Sequence, residues 1–248
     1  MHLIDAHAHL MFPEYDGRLP EVIARAKEAG VTRFVVPGTD YATSQQAIEL
    51  AQQCPEIIPA IGLHPLNEKC DLNLFRSLAA LPEVKAIGEI GTDSGAGDWA
   101  EQERRFRFFL ELAIEHNKPV LVHIRDTWQP TLAIMAEYPQ LRDKAVIHCF
   151  TGDQIIAGQI HEHGYLLSFT AILARSKYKE TQAVATAWPL DRMMLETDSP
   201  WLSWPSEKGP NEPSTVRKLA EFIASLHGCP VEEVAKATTQ TAKVFFNL

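Results

Sequence analysis

The chain has 248 residues, of which 46% are hydrophobic and 22% are charged, close to the composition of an ordinary globular protein. Its 32 acidic residues exceed its 23 basic ones, so the formal net charge is −9. This acidic balance argues against tight nucleic-acid binding through a broad basic face, although it does not exclude a nucleic acid substrate at a local site.

The amino-terminal segment and the cysteines indicate the cellular compartment of the protein. The start lacks a basic segment followed by an apolar run, so we expect no secretion signal, and no stretch approaches the roughly 18 apolar residues of a membrane span. No two of the four cysteines form a CxxC pair, which excludes that kind of zinc or redox motif. Their scatter suits a reducing compartment, and we predict a cytoplasmic protein with no membrane contact.

Short apolar runs recur along the chain, each too short for a helix and rich in Val, Ile and Leu. Such composition is typical of strands that are buried on both faces. In chain order the predicted strands are Leu3–Asp5, Arg33–Pro37, Ile57–Gly62, Ala86–Ile90, Pro119–His123, Ala145–His148, Leu166–Phe169 and Met193–Glu196.

Segments with helical spacing of apolar residues lie between these runs. They are Leu19–Ala29, Thr43–Gln53, Gln102–His116, Asp153–His163 and Tyr178–Ala187. Strands alternating with helices predict parallel βα units, and eight such units predict an α/β fold, a (β/α)8 TIM barrel forming one domain over residues 1–248. A doubly wound open sheet is the alternative. The proline-rich stretch 199–214 predicts a long loop before the terminal helices.

Polar side chains with metal-binding chemistry follow several predicted strands. His7 and His9 are two positions apart, so on an extended strand both side chains point to the same side and can reach one ion. Barrel enzymes place their active sites at the carboxyl ends of the strands. Imidazole and carboxylate ligands suit zinc, manganese or related divalent ions. The predicted metal ligands are His7, His9, Glu89, His123, His148 and Asp198.

A polar residue at a strand end, taken alone, also has a structural interpretation. His64, at another strand end, could be a hydrogen-bonded structural residue, and Glu89 could be a buried carboxylate paired with Arg125. Asp198 could cap the turn that Asp-Ser-Pro chemistry favours. Six metal-type residues at the ends of five strands are hard to explain in this way, and together they favour a metal site.

Six short motifs in chain order resemble the TatD family of metal-dependent hydrolases, within the amidohydrolase-like barrels. They are Gly62-Leu63-His64-Pro65, Gly88-Glu89-Ile90-Gly91, His123-Ile124-Arg125, His148-Cys149-Phe150-Thr151-Gly152, Glu196-Thr197-Asp198-Ser199-Pro200 and Asn211-Glu212-Pro213. The resemblance runs over nearly the whole chain, from Asp5 to the tail near Phe246. It implies a nuclease acting on DNA, often as a 3′–5′ exonuclease, with magnesium, manganese or zinc; one branch of the family is associated with aminoacyl-tRNA deacylation.

The resemblance also implies residue roles. The implied ligand sets are His7, His9 and Asp198 for a first ion and His123 and His148 for a second, with Glu89 bridging the two. His64 and Arg125 would lie near the substrate, and we add Asn211, from the last motif, as a substrate contact. We predict Asp198, Glu89 and His64 as catalytic residues, with Asp198 accepting the proton of the attacking water.

Several positions depart from the usual family pattern and leave the natural substrate open. They are Thr92, Ser94, Phe109, Ala171 and Pro210. We expect them where substrate is contacted. Trp201 and Trp204 follow the last ligand and could stack on a base or pack the loop.

Three functions are therefore compared. The first is a two-metal phosphodiesterase acting on DNA or nucleotides. The second is a hydrolase of a small ester, amide or phosphate on the same site, which the acidic charge favours. The third is a catalytically idle partner protein, which the presence of all six ligands argues against. Four imidazoles and two carboxylates suit zinc, manganese, nickel or iron better than magnesium. We predict no protein partner.

Overall fold

The computed structural model of the chain describes residues 1–248. Eight strands form one sheet in the order β1 to β8, so each strand neighbours the next along the chain. The strands are β1 (Leu3–Asp5), β2 (Val31–Pro37), β3 (Ile57–Ile61), β4 (Ala86–Asp93), β5 (Val120–Arg125), β6 (Ala145–Ile147), β7 (Leu166–Phe169) and β8 (Met193–Leu195). All eight predicted strands are present.

Burial explains why these runs form strands. Every residue of β4 is buried, as are all residues of β3, β6, β7 and β8. Strands covered on both faces need apolar side chains at successive positions, which is the pattern that the sequence shows. The predicted ends were wrong for β4 and β5, which continue to Asp93 and Arg125 because polar residues there still pair across the two strands.

Nine α-helices connect and follow the strands. They are α1 (Leu19–Glu28), α2 (Tyr41–Gln53), α3 (Leu74–Ala79), α4 (Trp99–Glu115), α5 (Trp128–Ala136), α6 (Gln154–Glu162), α7 (Lys179–Ala187), α8 (Thr215–His227) and α9 (Val231–Phe246). The sequence did not predict α3 and α5, which have only 6 and 9 residues. In the six residues of α3 the apolar spacing repeats too few times to stand out from a loop, and α5 combines Pro130 with a continuous apolar run from Leu132 to Ala136, which shows no helical period.

Two compact units divide the chain. The first comprises Met1–Val36, Cys149–Gln159 and Leu167–Leu248, and the second comprises Pro37–His148 and Ile160–Leu166. Within the first, β1 pairs with β2 and β7 pairs with β8, all in parallel. Within the second, the parallel pairs run from β3 to β6. One domain over residues 1–248 stays a prediction.

Two further sequence expectations concern loops and membranes. Residues 199–214 contain no helix or strand, as their prolines predicted. None of the helices is both long enough and apolar enough to pass through a lipid bilayer.

Candidate functional site

The backbone after β1 holds two histidines side by side in the first unit. The amide of Ala6 donates to Leu195 O of β8, that of Ala8 donates to Val35 O of β2, and that of His9 donates to Ser199 O. The backbone bends at Ala6 and forms an isolated bridge between Ala8 and Ser199, and the 3.1 Å between the Nε2 atoms of His7 and His9 places both rings on one side.

We call His7, His9 and Asp198 the His7 cluster. The Nε2 atoms of His7 and His9 lie 3.1 Å apart, and Asp198 Oδ1 lies 3.8 Å and 3.4 Å from them. Both imidazoles are fully buried. Two nitrogens that bind one zinc ion at about 2.0–2.1 Å in a tetrahedral shell lie roughly 3.3 Å apart. The three ligand atoms therefore fit a divalent cation.

Asp5 links the segment that carries His7 to the segment that carries Asp198, a role that the sequence did not reveal. Its carboxylate accepts hydrogen bonds from the Thr197 amide at 2.9 Å, the Thr197 hydroxyl at 2.6 Å and the His7 amide at 3.2 Å. Complete burial raises the pKa of Asp5 well above its usual range, although these hydrogen bonds act in the opposite direction. The contacts fix the end of β1 against the segment that carries Asp198.

The loop that begins at Asp198 is held by Asn211. The Asn211 side chain donates to Thr197 O at 3.0 Å and to Leu202 O at 3.3 Å, while its Oδ1 accepts from the Glu212 amide at 3.0 Å. The side chain is buried and occupied by backbone partners. These bonds favour a role in shaping the loop, whereas the substrate contact stays a prediction.

A second group of ligand atoms surrounds a carboxylate in the second unit. We call Glu89, His64, His123 and His148 the Glu89 cluster. Glu89 Oε1 lies 2.9 Å from His123 Nδ1, 2.9 Å from His148 Nε2 and 3.4 Å from His64 Nε2. His123 Nδ1 and His148 Nε2 are themselves 3.2 Å apart. The sequence prediction that these strand ends share one site is consistent with this convergence within the unit.

Asp93 orients His123 and was not assigned a role from the sequence. Its Oδ2 lies 3.0 Å from His123 Nε2, which donates because a carboxylate can only accept. That bond leaves Nδ1, beside Glu89, as the ring nitrogen able to bind a cation. The His123 hydrogen bond lowers the pKa of Asp93. Burial alone would lower the pKa of His123, but its bonds to Asp93 and Glu89 outweigh burial and raise it.

His64 has the chemistry of a donor more than that of a ligand. Its Nδ1 accepts a hydrogen bond from the Leu66 amide at 3.2 Å. In the neutral ring, the proton must then sit on Nε2, the atom that faces Glu89. A protonated Nε2 can donate to a phosphate or leaving-group oxygen. Arg125, at the exposed end of β5, likewise presents donors to solvent.

Two glycines let the strands of the second unit approach closely enough to form the Glu89 cluster. A Cβ atom on Gly91 would lie 1.9 Å from His123 O, and the Gly91 φ of +144° also disfavours other residues. A Cβ on Gly62 would lie 2.5 Å from Glu89 O. Only glycine fits between these backbones.

The turn after His148 depends on another carboxylate missed by sequence reasoning. Cys149 has a left-handed φ of +46°, which is uncommon outside glycine. Its amide donates to Glu196 Oε1 at 2.6 Å, and Glu196 is buried. The only available signal was that Glu196 lies two positions before Asp198 in the same motif.

The departures from the family pattern are not all on the substrate side. The expectation that these positions contact substrate was wrong for Thr92 and Phe109, which are fully buried. The Thr92 hydroxyl bonds to those of Thr127 and Thr131, which ties β4 to α5. The Phe109 ring packs edge-on against Phe75, which joins α4 to α3. Burial in packing contacts, which single-sequence patterns do not reveal, explains both.

The remaining departures divide by exposure. Ala171 is buried in a short 3-10 turn after β7, so it contributes to packing. Ser94 and Pro210 are exposed in loops. Only these two lie where a ligand could reach them from solvent.

The two tryptophans after Asp198 differ in their surroundings. Trp204 packs edge-on against Phe222 of α8, with ring centroids 6.1 Å apart. Trp201 is 48% exposed and contacts the His9 ring, with a centroid separation of 5.0 Å. Trp204 therefore packs the loop, whereas Trp201 borders the His7 cluster.

Comparison with known proteins identifies the family of the chain. Residues 4–247 match the family described as TatD related DNase. The chain is 36% identical to YabD of Bacillus subtilis, an uncharacterized metal-dependent hydrolase, over 99% of both chains. It is 32% identical to the human deoxyribonuclease TATDN3, over 98% of this chain and 94% of that protein.

A solved structure confirms the fold. YJJV, a TatD homolog from Escherichia coli K12, has a TM-score of 0.94 at 27% identity, covering 99% of this chain and 98% of that one. Together with the strand order β1 to β8, this similarity confirms the predicted (β/α)8 barrel.

Proposed function

We propose that this chain, which belongs to the TatD family of metal-dependent hydrolases, is a phosphodiesterase that removes nucleotides from the 3′ end of DNA. One observation carries the proposal: buried imidazole and carboxylate atoms converge in two ligand clusters, each at the carboxyl ends of strands. The human relative named as a deoxyribonuclease supports the choice of bond and substrate.

The proposed cofactor is a pair of divalent cations. The His7 cluster would hold one, and Glu89, His123 and His148 would hold the other. Nitrogen-rich donor sets fit zinc, manganese, nickel or iron, while magnesium prefers a shell of oxygen atoms. Bound cations supply Lewis acidity, which lowers the pKa of water and polarises phosphoryl oxygens. Elemental analysis after gentle purification checks the identity, and a metal-free protein would contradict it.

The protein's own side chains would then position and move protons. The Asp198 side chain is 15% exposed, so its carboxylate can accept a proton from the attacking water. Arg125 would donate two parallel hydrogen bonds to a phosphate. The Nε2–H of His64 would donate to a phosphate oxygen or to the leaving oxygen.

A single-turnover assay on a short 3′-labelled single strand of DNA with Mn²⁺ tests the proposal. We expect nucleotide release by the native protein, loss of at least about 10²-fold in Asp198→Asn, and no change in Asp191→Asn, an exposed control. No release from protein that contains metal by elemental analysis would contradict the phosphodiesterase.

A hydrolase of small esters, amides or phosphates is the second candidate. The net charge of −9 favours it, because a long polyanion is repelled by an acidic surface. A panel of esters, lactones and phosphodiesters separates the two, and Asp198→Asn would abolish either activity. Location in the cytoplasm stays a prediction that the four free cysteines support.

A further inference from the structure

We propose that Trp201 is the platform on which the nucleobase beside the scissile phosphate stacks. The inference rests on the proposed function, since it names how a nucleotide substrate is held. Three rings meet at this point: His9 stacks on Phe12 at 5.1 Å, and Trp201 lies 5.0 Å from His9 and 5.2 Å from Phe12. Trp201 thus touches a proposed ligand while nearly half of it remains exposed.

The loop holds the exposed indole firmly. The Trp201 amide donates to Asp198 O at 3.0 Å, which ties the residue directly to the proposed base. The next residue, Leu202, has a left-handed φ of +54°, a conformation unfavourable for leucine. Its carbonyl accepts from Asn211, and the following carbonyl, Ser203 O, accepts from Arg175 at 3.3 Å. Hydrogen bonds from two side chains therefore fix the backbone that follows Trp201.

A large, half-exposed aromatic ring beside the His7 cluster fits one class of ligand. A base attached to a phosphate bound at the His7 cluster lies within reach of a ring that contacts His9. Stacking accepts any base because every base has a π face, and it does not depend on a broad basic face, against which the net charge of −9 argues. We therefore assign Trp201 to the binding of single-stranded ends without base preference.

Binding and cleavage are measured on the metal-loaded full chain. Trp201→Leu removes the aromatic ring and keeps apolar bulk, Trp201→Phe keeps a ring, and Trp204→Leu is the matched control. Calorimetry compares the binding of deoxyadenosine monophosphate with that of deoxyribose 5-phosphate, which lacks the base. Steady-state assays compare KM and kcat for DNA with a normal 3′ end and for DNA with an abasic 3′ end.

We expect Trp201→Leu to weaken deoxyadenosine monophosphate binding about 5- to 150-fold and to raise KM for normal ends similarly, with little change for abasic ends. Trp201→Phe should restore most of the loss, and Trp204→Leu should bind as the native protein does. Equal weakening toward deoxyribose 5-phosphate, or no weakening toward the nucleotide, would overturn the inference. Base-dependent binding without any DNA cleavage would uphold Trp201 and reject the phosphodiesterase.

Discussion

The two ligand clusters are built in different ways. The His7 cluster takes two ligands from positions two apart in the segment that follows β1, and its imidazoles are completely buried. The Glu89 cluster takes its four members from four separate stretches of chain and places the carboxylate at the centre. A local pair followed by one distant ligand can be recognised in a sequence, whereas a carboxylate shared by three imidazoles is defined only by how the strands pair.

Removing the central carboxylate gives the largest expected effect. In Glu89→Gln, three imidazoles lose the anion that they share, so we expect hydrolysis to fall more than about 10³-fold and the metal content to drop. Glu49→Gln, on the exposed face of α2, is the control. Native activity in Glu89→Gln would show that the His7 cluster works alone.

Each cluster has its own supporting carboxylate, Asp93 for the Glu89 cluster and Asp5 for the His7 cluster. Asp93→Asn removes the charge behind His123, so we expect metal affinity to fall about 10- to 100-fold at one site, measured by competition with a chelator. Asp5→Asn is the corresponding change behind the His7 cluster and should affect the other site. An identical response of both sites to either change would contradict separate support.

Asn211→Ala should destabilise the protein by about 1–3 kcal/mol, because the buried carbonyl of Thr197 and the half-buried carbonyl of Leu202 lose their donor. Urea unfolding measures the change. We also expect weaker metal binding at the His7 cluster and little change at the Glu89 cluster. A loss confined to substrate KM would instead support the substrate contact predicted from the sequence.

The last prediction concerns stability alone and involves neither cluster. Burial lowers the pKa of Lys118 to about 8, below the usual 10.5. Its charge therefore destabilises the folded state below pH 8, and the penalty disappears as the pH rises towards 10.5. The free energy of unfolding of Lys118→Met, relative to native protein, should decline between pH 8 and pH 10.5. Lys243→Met, on exposed α9 surface, should show no such trend.

The sequence predicts the fold better than it predicts the carboxylates that hold the proposed ligands in place. Each strand is recognisable because a run of apolar residues indicates burial on both faces, and the predicted ligands could be named because they follow the ends of those strands. Asp93 could have been found, since it continues the alternation that starts at Glu89 along β4. Asp5 and Glu196 act across strands, through bonds to Thr197 and Cys149, and such partners depend on register.

The bond between Asp5 and Thr197 joins positions 192 residues apart, which has a consequence for synthesis. The ribosome synthesises the amino-terminal strand first, so His7 and His9 leave it long before Asp198 and β8 have been made. The members of the Glu89 cluster, in contrast, have all been synthesised once residue 148 has been added. The growing chain can therefore gather its second group of ligands while the first strand still lacks its final neighbour.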